Sequence, residues 1–294
     1  MEQEIQGFIE YLHNTKKTSN NTEVSYERDL KKMTAYFYER GIRDITEVRE
    51  LDLQGYINEM ERKNFASATI SRSVASIRAL FQYLFKTGRI QDDPSERLKP
   101  PKVEKKAPEI LSVEEVDKLL KQPSLDTPKG IRDTAMLELL YATGMRVSEL
   151  IHLRTTDVNL LLGYVTCHEN DKERIIPIGS VCVNALSEYM NHARSHFVKD
   201  EKETMLFTNC SGKAMSRQGF WKVLKGYADD AGIQGDITPH TLRHSFAVHM
   251  LQNGADVRSV QEMLGHADIS TTQVYLAMNM KKMRDVYMRA HPRH

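Results

Sequence analysis

The chain has 294 residues, of which 28% are charged and 40% are hydrophobic, and its formal net charge is +1. This length predicts two domains at the usual size of roughly 100 to 200 residues each, and the composition is that of an ordinary globular protein, which excludes collagen-like and disordered chains. No apolar stretch approaches the ~20 residues that span a bilayer, and the near-neutral charge gives no hint of a nucleic-acid partner.

The cysteines and the N-terminus favour a cytoplasmic protein. The chain has three cysteines, an odd number, and they are widely spaced: Cys167, Cys182 and Cys210. Neither a disulfide framework nor a cysteine zinc site fits this pattern. The acidic start, Met1-Glu-Gln-Glu-Ile5, lacks the basic and apolar regions of a secretory signal. We therefore expect buried or idle thiols in a reduced cytoplasm.

Residues 1–93 are predicted to form a small all-helical domain, because apolar residues recur with the helical period in four stretches. The stripes are Ile5, Phe8, Ile9 and Leu12; Val24, Leu30, Met33 and Phe37; Leu53, Tyr56, Ile57 and Met60; and Ile70, Val74, Ile77, Leu80, Phe81 and Leu84. Ser67 is predicted to cap the fourth helix and Gly88 to follow its end. Either phosphate contact or a solvated helix face explains the polar residues beside the fourth stripe, Thr69, Ser71, Arg72, Ser76 and Arg78.

Residues 94–108 are predicted to be a stiff basic linker, because prolines interrupt the helical pattern and lysine and arginine outnumber glutamate. A second domain, 109–294, follows. Ser112 and Glu115 form a capping box for its first helix. The next helix is predicted to begin at Pro128, to run to Thr143 and to stop at Gly144.

A hairpin and several helices are predicted in the rest of this domain. The two strands cover Tyr164 to Cys167 and Arg174 to Ile178, with a third strand expected at Met205 to Phe207. Neither a P-loop nor a Gly-x-Gly-x-x-Gly motif is present. The predicted helices are Val181 to Ser195, Ser216 to Ala231, Thr241 to Asn253, Val257 to Leu264, and two more around Tyr275 and Met283.

His240 and Arg243 stand three residues apart just after Pro239, at the predicted start of a helix, so they project from nearly the same face. A helix N-terminus also favours anions through its free N–H groups and its dipole. These features predict a phosphate site; the alternatives are that His240 only caps the helix and that Arg243 makes a structural ion pair. His244 permits a zinc interpretation, but Thr241 occupies the place of the glutamate in His-Glu-x-x-His enzymes.

Tyr275 lies nine residues after His266, at the predicted start of another helix. A tyrosine hydroxyl, with an ordinary pKa of about 10, is a poor nucleophile unless cationic or hydrogen-bonding groups stabilise its anion. Arg146 follows the helix stop at Gly144 and can bring a second guanidinium to the same pocket. The alternative is that Arg146 only forms a surface pair with Glu149.

Together these motifs resemble the tyrosine recombinases in order and spacing, and the runs His240 to Leu251, Gly254 to His266 and His291 to Arg293 look like the Xer branch of that family. The N-terminal stretch agrees with the family's core-binding domain in length and class but carries no comparably specific motif. The resemblance implies a mainly α fold with a small β-sheet, in which a helical core-binding domain precedes a mixed α/β catalytic domain. The matching segments are Gly144-Met-Arg-Val-Ser-Glu-Leu150, His240-x-x-Arg243, Leu264-Gly-His266, Tyr275 and His291-Pro-Arg293.

This resemblance implies a site-specific DNA recombinase. In the family a tyrosine attacks a DNA phosphodiester, forms a 3'-phosphotyrosyl bond and frees a 5'-hydroxyl that attacks a partner strand, so no cofactor, metal or ATP is required. The resemblance implies that Tyr275 is the nucleophile and that Arg146 and Arg243 bind the phosphate. His240 would assist proton transfer, and His266 would hydrogen-bond the scissile phosphate.

The predicted hairpin departs from the family pattern Gly-Lys-Gly-x-Lys-Glu-Arg, whose first lysine is the general acid for the leaving 5'-oxygen. Aligning Lys172-Glu-Arg174 with the end of that pattern places Glu169 at the position of the acid. We expect Lys172, in the same turn, to replace it. The alternative is that Lys172 contacts only backbone phosphate and that cleavage is weak.

By the same resemblance the partner is duplex DNA with an inverted-repeat site. Four protomers would assemble on two sites, either identical or paired with a second recombinase, and a DNA translocase is a further candidate partner. The task is either chromosome dimer resolution or integration and excision of a mobile element. Two rivals remain: a non-catalytic DNA-binding regulator with the same fold, indicated by Glu169, and a metal-dependent hydrolase built from His240, His244 and His266.

Overall fold

The computed structural model describes residues 1–101, 109–169, 172–200 and 202–265. The chain divides into two compact units, Met1–Lys106 and Ala107–His294, and each contains its own hydrophobic core. Helices dominate both units, and the second adds a small antiparallel sheet. The predicted fold class is therefore confirmed. In the described part of the chain, no helix is long and apolar enough to cross a membrane.

The first unit packs the predicted apolar stripes around one core, with one exception. Val24 is 44% exposed, whereas Leu30, Met33 and Phe37 on the same helix are fully buried. Val24 precedes Leu30 by six residues, which places it about 120° away around the helix, so its inclusion in the stripe was wrong. The helices are α1 (Glu2–Asn14), α2 (Asn20–Glu39), α3 (Glu50–Arg62) and α4 (Ser67–Lys86).

Two details at the ends of α4 differ from the sequence prediction. Ser67 is the first helical residue rather than the cap, because Ala66 holds the N-cap position and makes no side-chain cap bond. Beyond the helix, Leu98 is buried in the core of the first unit although it lies in the stretch interpreted as linker. An apolar side chain in that stretch therefore ties it to the helices.

Polar residues on α4 serve the fold of this unit. Arg72 donates from Nε and from one terminal nitrogen to the carboxylate of Asp29, at 2.8 and 3.0 Å. Ser76 is buried and donates to the carbonyl oxygen of Ser73. The sequence allowed a phosphate contact for Ser76, but in this structure Ser76 is not placed to make one.

The helix signals at the start of the second unit are confirmed. Ser112 and Glu115 form the capping box of α5. Thr127 caps α6, Pro128 is its first residue, and Gly144 ends it in the left-handed region at φ 59°. A side chain at Gly144 would overlap the ring of Phe246, so both the φ angle and the packing require glycine there. The elements that follow are α5 (Val113–Leu120), α6 (Pro128–Thr143) and α7 (Val147–His152).

The sheet has the order β1-β2-β3 and is antiparallel throughout. Its strands are β1 (Val158–Asn159), β2 (Tyr164–Glu169) and β3 (Lys172–Pro177), so the predicted hairpin is confirmed and is longer than expected. The predicted third strand at Met205 to Phe207 was wrong. Leu206 and Phe207 are buried, but Leu206 donates to the carbonyl of Leu153 and the segment does not join the hairpin.

Four further helices complete the described part of the second unit, and α10 lies at its centre. Leu242, Ala247 and Val248 are buried on different sides of α10, so it packs against neighbours all round. The predicted helix Val181 to Ser195 changes to a π-helical turn at Tyr189 and then to a 3₁₀ turn. The helices are α8 (Ser180–Glu188), α9 (Arg217–Asp230), α10 (Pro239–Gln252) and α11 (Val257–Leu264); those predicted around Tyr275 and Met283 lie outside the described residues.

Candidate active site

The start of α10 places His240 and Arg243 on one helix. Thr238 accepts a hydrogen bond from the backbone N–H of Thr241 and is the N-cap, and Pro239 is the first helical residue. His240 is therefore not the cap, so that alternative was wrong. It lies in the first turn, one turn before Arg243, as the spacing predicts.

Arg243 is a buried cation held by backbone carbonyls. It is only 5% exposed, and its two terminal nitrogens donate to the carbonyl oxygens of Gly144 and Leu264, both at 2.6 Å. These carbonyls lie at the C-terminal ends of α6 and α11, where the helix dipole is negative and carbonyls lack helical partners. Two helix ends thus replace the water that a buried guanidinium loses.

Arg146 reaches the same end of α11. It is the N-cap of α7, and one terminal nitrogen donates to the carbonyl of Gly265 at 3.0 Å. The two arginines therefore bind the consecutive carbonyls of Leu264 and Gly265. The sequence prediction that Arg146 and Arg243 lie in one site agrees with this geometry.

The ionic partner of Glu149 is chiefly an arginine that sequence reasoning did not single out. Arg174 of β3 donates to both carboxylate oxygens of Glu149, at 2.6 and 2.8 Å, and from Nε to the carbonyl of Met263 at 2.9 Å. Arg146 lies 3.6 Å from the same carboxylate. The predicted pair between Arg146 and Glu149 is therefore present, but Glu149 is only 9% exposed and Arg146 also binds the carbonyl of Gly265, so the pair is neither at the surface nor the sole contact of Arg146.

The charges of the site shift two pKa values. Burial would raise the pKa of Glu149, but hydrogen bonds from Arg174 and from the Arg146 backbone N–H, with both guanidinium charges, lower it below its ordinary value. Partial burial and the nearby charges of Arg243 and Arg146 lower the pKa of His240. Glu149 is thus an anion, and His240 is a neutral imidazole, at neutral pH.

The remaining predicted site residues are placed only in part. Lys172 begins β3 directly opposite Glu169, at the closed end of the hairpin and two residues before Arg174. His266 follows Gly265, the left-handed cap of α11, and both His266 and Tyr275 lie outside the described residues. The backbone that both arginines bind thus leads directly into His266.

Among the described residues, no group of three or more histidine, cysteine or acidic side chains is arranged to hold a metal ion. The rings of His240 and His244 stack with their centroids 6.3 Å apart. Burial, followed by the charges of His240 and Arg243, lowers the pKa of His244. His266, the third residue of the hydrolase alternative, lies outside the described residues.

Comparison with known proteins gives consistent matches along the chain. The "Phage integrase family" matches residues 109–282, and the "Phage integrase, N-terminal SAM-like domain" matches residues 5–88. A "Tyrosine recombinase XerD" from Oceanobacillus iheyensis is 44% identical over 296 residues, covering 100% of this chain and 99% of the relative. Another of the same name, from Halalkalibacterium halodurans, is 46% identical over 294 residues, covering 98% of this chain and 97% of the relative.

Solved structures share the fold. The Tn1549 transposon integrase in complex with transposon right end DNA has a TM-score of 0.76 at 19% identity, covering 98% of this chain and 99% of that one. A lambda integrase dimer bound to a core site has a TM-score of 0.73 at 14% identity, covering 94% of each chain. These similarities extend over both units.

Two arginines bind the end of one helix, beside a histidine whose pKa is lowered, on a fold that solved integrase–DNA complexes share. The chain belongs to the phage integrase family: it is a tyrosine recombinase, an enzyme that cleaves and rejoins DNA strands at specific sites. None of the relatives named here favours a non-catalytic regulator.

Proposed function

We propose that the hydroxyl oxygen of Tyr275 attacks the phosphorus of a scissile DNA phosphodiester. The new bond is a 3'-phosphotyrosine, and the bond to the 5'-oxygen breaks, which leaves a 5'-hydroxyl. In the second step the 5'-hydroxyl of a partner strand attacks the phosphotyrosine and releases Tyr275. The observation that carries this proposal is that Arg146 and Arg243 bind adjacent carbonyls immediately before His266.

The two arginines stabilise the charge that develops on the nonbridging oxygens during both steps. A guanidinium offers several N–H groups in one plane, which suits two oxygens of a phosphate better than the point charge of lysine. The carbonyls of Gly144 and Leu264 hold Arg243 in place, so its side chain does not need to reorganise when negative charge develops on the phosphate. His266 donates a further hydrogen bond to the phosphate.

Two groups move the protons of the reaction. His240 accepts the proton from Tyr275, and its lowered pKa keeps it neutral and able to do so. Lys172 donates a proton to the leaving 5'-oxygen, because Glu169, which stands at the family's lysine position, is normally an anion. The position of Lys172 at the end of the hairpin supports this assignment.

The substrate is duplex DNA with an inverted-repeat site, and four protomers act on two such sites in the cytoplasm. The assembly is a homotetramer or includes a second recombinase, and a DNA translocase is a further candidate partner. The same chemistry serves chromosome dimer resolution and mobile-element integration, so the sequence of the bound DNA distinguishes these two tasks.

The test is covalent capture. A binding duplex is first selected from a random-sequence pool, and a nick beside the cleaved bond then traps the intermediate. Wild type should give a denaturant-resistant protein–DNA adduct, and Tyr275→Phe should bind the duplex equally well and give none. An undiminished adduct in Tyr275→Phe would overturn the proposal.

A further inference from the structure

We infer that Arg174 is a positioning residue for strand cleavage: it neutralises Glu149 and so prevents that carboxylate from drawing Arg146 away from the scissile phosphate. The inference rests on the proposed function, in which Arg146 contacts the phosphate. Arg174 itself touches neither the DNA nor the reacting atoms in this scheme. It acts through Glu149 and through the backbone beside His266.

Glu149 has two tasks that conflict with one another. Its carboxylate accepts the backbone N–H of Arg146, the N-cap residue of α7, at 2.6 Å, so it orients the residue that bears the guanidinium. The same negative charge attracts the Arg146 guanidinium, which lies 3.6 Å away. A close ion pair between the two would take positive charge away from a bound phosphate.

Arg174 resolves this conflict by geometry. It occupies both carboxylate oxygens, at 2.6 and 2.8 Å, in the bidentate arrangement that is strongest for arginine. The side chain of Arg174 is 16% exposed and that of Glu149 6%, whereas that of Arg146 is 31% exposed. The better-buried pair is therefore the one between Arg174 and Glu149, and Arg146 lies nearer the surface where DNA approaches.

A third contact fixes Arg174 against the end of α11. Its Nε donates to the carbonyl of Met263, and a Cβ atom at Gly265 would lie only 3.0 Å from the guanidinium carbon. The guanidinium thus packs against the backbone that immediately precedes His266. Arg174 connects this backbone to Glu149 while it extends from the strand that Lys172 begins.

The net charge of this group supports the same conclusion. Arg146, Arg174 and Arg243 carry three positive charges and Glu149 carries one negative charge, a surplus of two for these four residues. Replacing Arg174 by a neutral side chain reduces the surplus to one. After this replacement the guanidinium of Arg146 still lies 3.6 Å from the nearly buried carboxylate of Glu149. Because an unpaired buried charge is costly, burial strongly favours a close ion pair between Arg146 and Glu149.

The experiment measures single-turnover cleavage of the selected nicked duplex. Arg174→Ala should bind DNA like wild type and cleave about 100-fold more slowly, the scale expected when a catalytic group is displaced by ~1 Å. Adding Glu149→Gln to Arg174→Ala should restore a substantial part of the rate. The neutral amide can still accept the hydrogen bond from the backbone N–H of Arg146, but it no longer attracts the guanidinium of Arg146. A merely structural role of Arg174 would make the double variant worse.

Two further variants complete the design. Arg174→Lys keeps the charge but loses the bidentate contact, so its rate should lie between those of wild type and Arg174→Ala; it also serves if Arg174→Ala does not fold. Arg194→Ala is the matched control: Arg194 donates to the carbonyls of Glu203 and Met205 in the same unit, and its loss should leave cleavage unchanged. Thermal unfolding verifies that each variant is folded.

The outcomes separate this inference from the proposed function. If Arg146→Ala fails to cleave while Arg174→Ala cleaves at the wild-type rate, the positioning role is wrong and the proposed function stands. If Glu149→Gln does not improve Arg174→Ala, competition for Arg146 is likewise refuted. If Arg146→Ala cleaves normally, the proposed function itself fails. A 5'-phosphorothiolate substrate should not rescue Arg174→Ala; rescue would place Arg174 with the general acid and overturn the inference.

Discussion

His240 lies where two positive charges favour its neutral form. Partial burial, followed by the guanidinium charges of Arg243 and Arg146, which we propose bind the phosphate, opposes a further proton on the imidazole and lowers its pKa. The groups that would stabilise the phosphate therefore also keep the proposed base able to accept a proton. One arrangement of charge serves both purposes.

This arrangement predicts the pH dependence of cleavage. His240 accepts a proton only when it is deprotonated, so the rate should rise with pH through the pKa of His240, which lies below the ordinary value of 6.5. Single-turnover cleavage of the nicked duplex across acidic pH measures this limb. His240→Ala should lose it, and His192→Gln, which changes an exposed histidine paired with Glu188, should retain it. An acidic limb that persists in His240→Ala contradicts the role.

The sequence predicted that His240 and Arg243 share a helix, but it did not predict all the partners of the site arginines. His240 and Arg243 share one helix, so their spacing was sufficient. Arg174 and Glu149 are 25 residues apart and meet only because β3 packs near α7 and the end of α11. A local pattern does not contain that contact, although both residues lie in the motifs already noted.

At the scale of elements, the ends of α6, marked by proline and glycine, were predicted well and extended segments less well. Pro128 and Gly144 act through local backbone geometry, so their effects were read from the sequence alone. Met205 to Phe207 has the composition of a strand, but Leu206 donates to the carbonyl of Leu153 and Phe207 accepts from the backbone N–H of Met215, so neither bonds to the hairpin. Strand partners depend on tertiary packing, so composition did not identify them.

The sequence of the hairpin departs from the family pattern, and this departure gives a prediction about the general acid. If Lys172 is the general acid, Lys172→Ala should slow cleavage by roughly 100-fold to 10,000-fold and leave DNA binding nearly unchanged. A 5'-phosphorothiolate substrate has a leaving group that needs little protonation, so it should rescue Lys172→Ala but not Arg243→Ala. Cleavage rates on both substrates measure the difference.

The same substrates decide between the two interpretations of the hairpin. A wild-type rate for Lys172→Ala on the ordinary substrate would show that Lys172 is not the acid. If Glu169→Lys then raises cleavage by orders of magnitude, the natural chain is an attenuated recombinase. The register pairs Glu169 with Lys172 across the turn, so both changes lie at the same end of the hairpin.

For the whole molecule, the energy of strand exchange comes from the DNA itself. In the proposed mechanism the phosphotyrosyl bond retains the energy of the broken phosphodiester, and arginine, histidine and lysine side chains supply the charge and the proton transfer. Cleavage and strand exchange by wild type should therefore proceed at unchanged rates in EDTA and without added nucleotide. Rates with and without Mg²⁺, and with and without ATP, on paired duplexes measure this. A strict requirement for a divalent ion in the cleavage step would contradict the mechanism, whereas a requirement confined to pairing of the two duplexes would concern assembly alone.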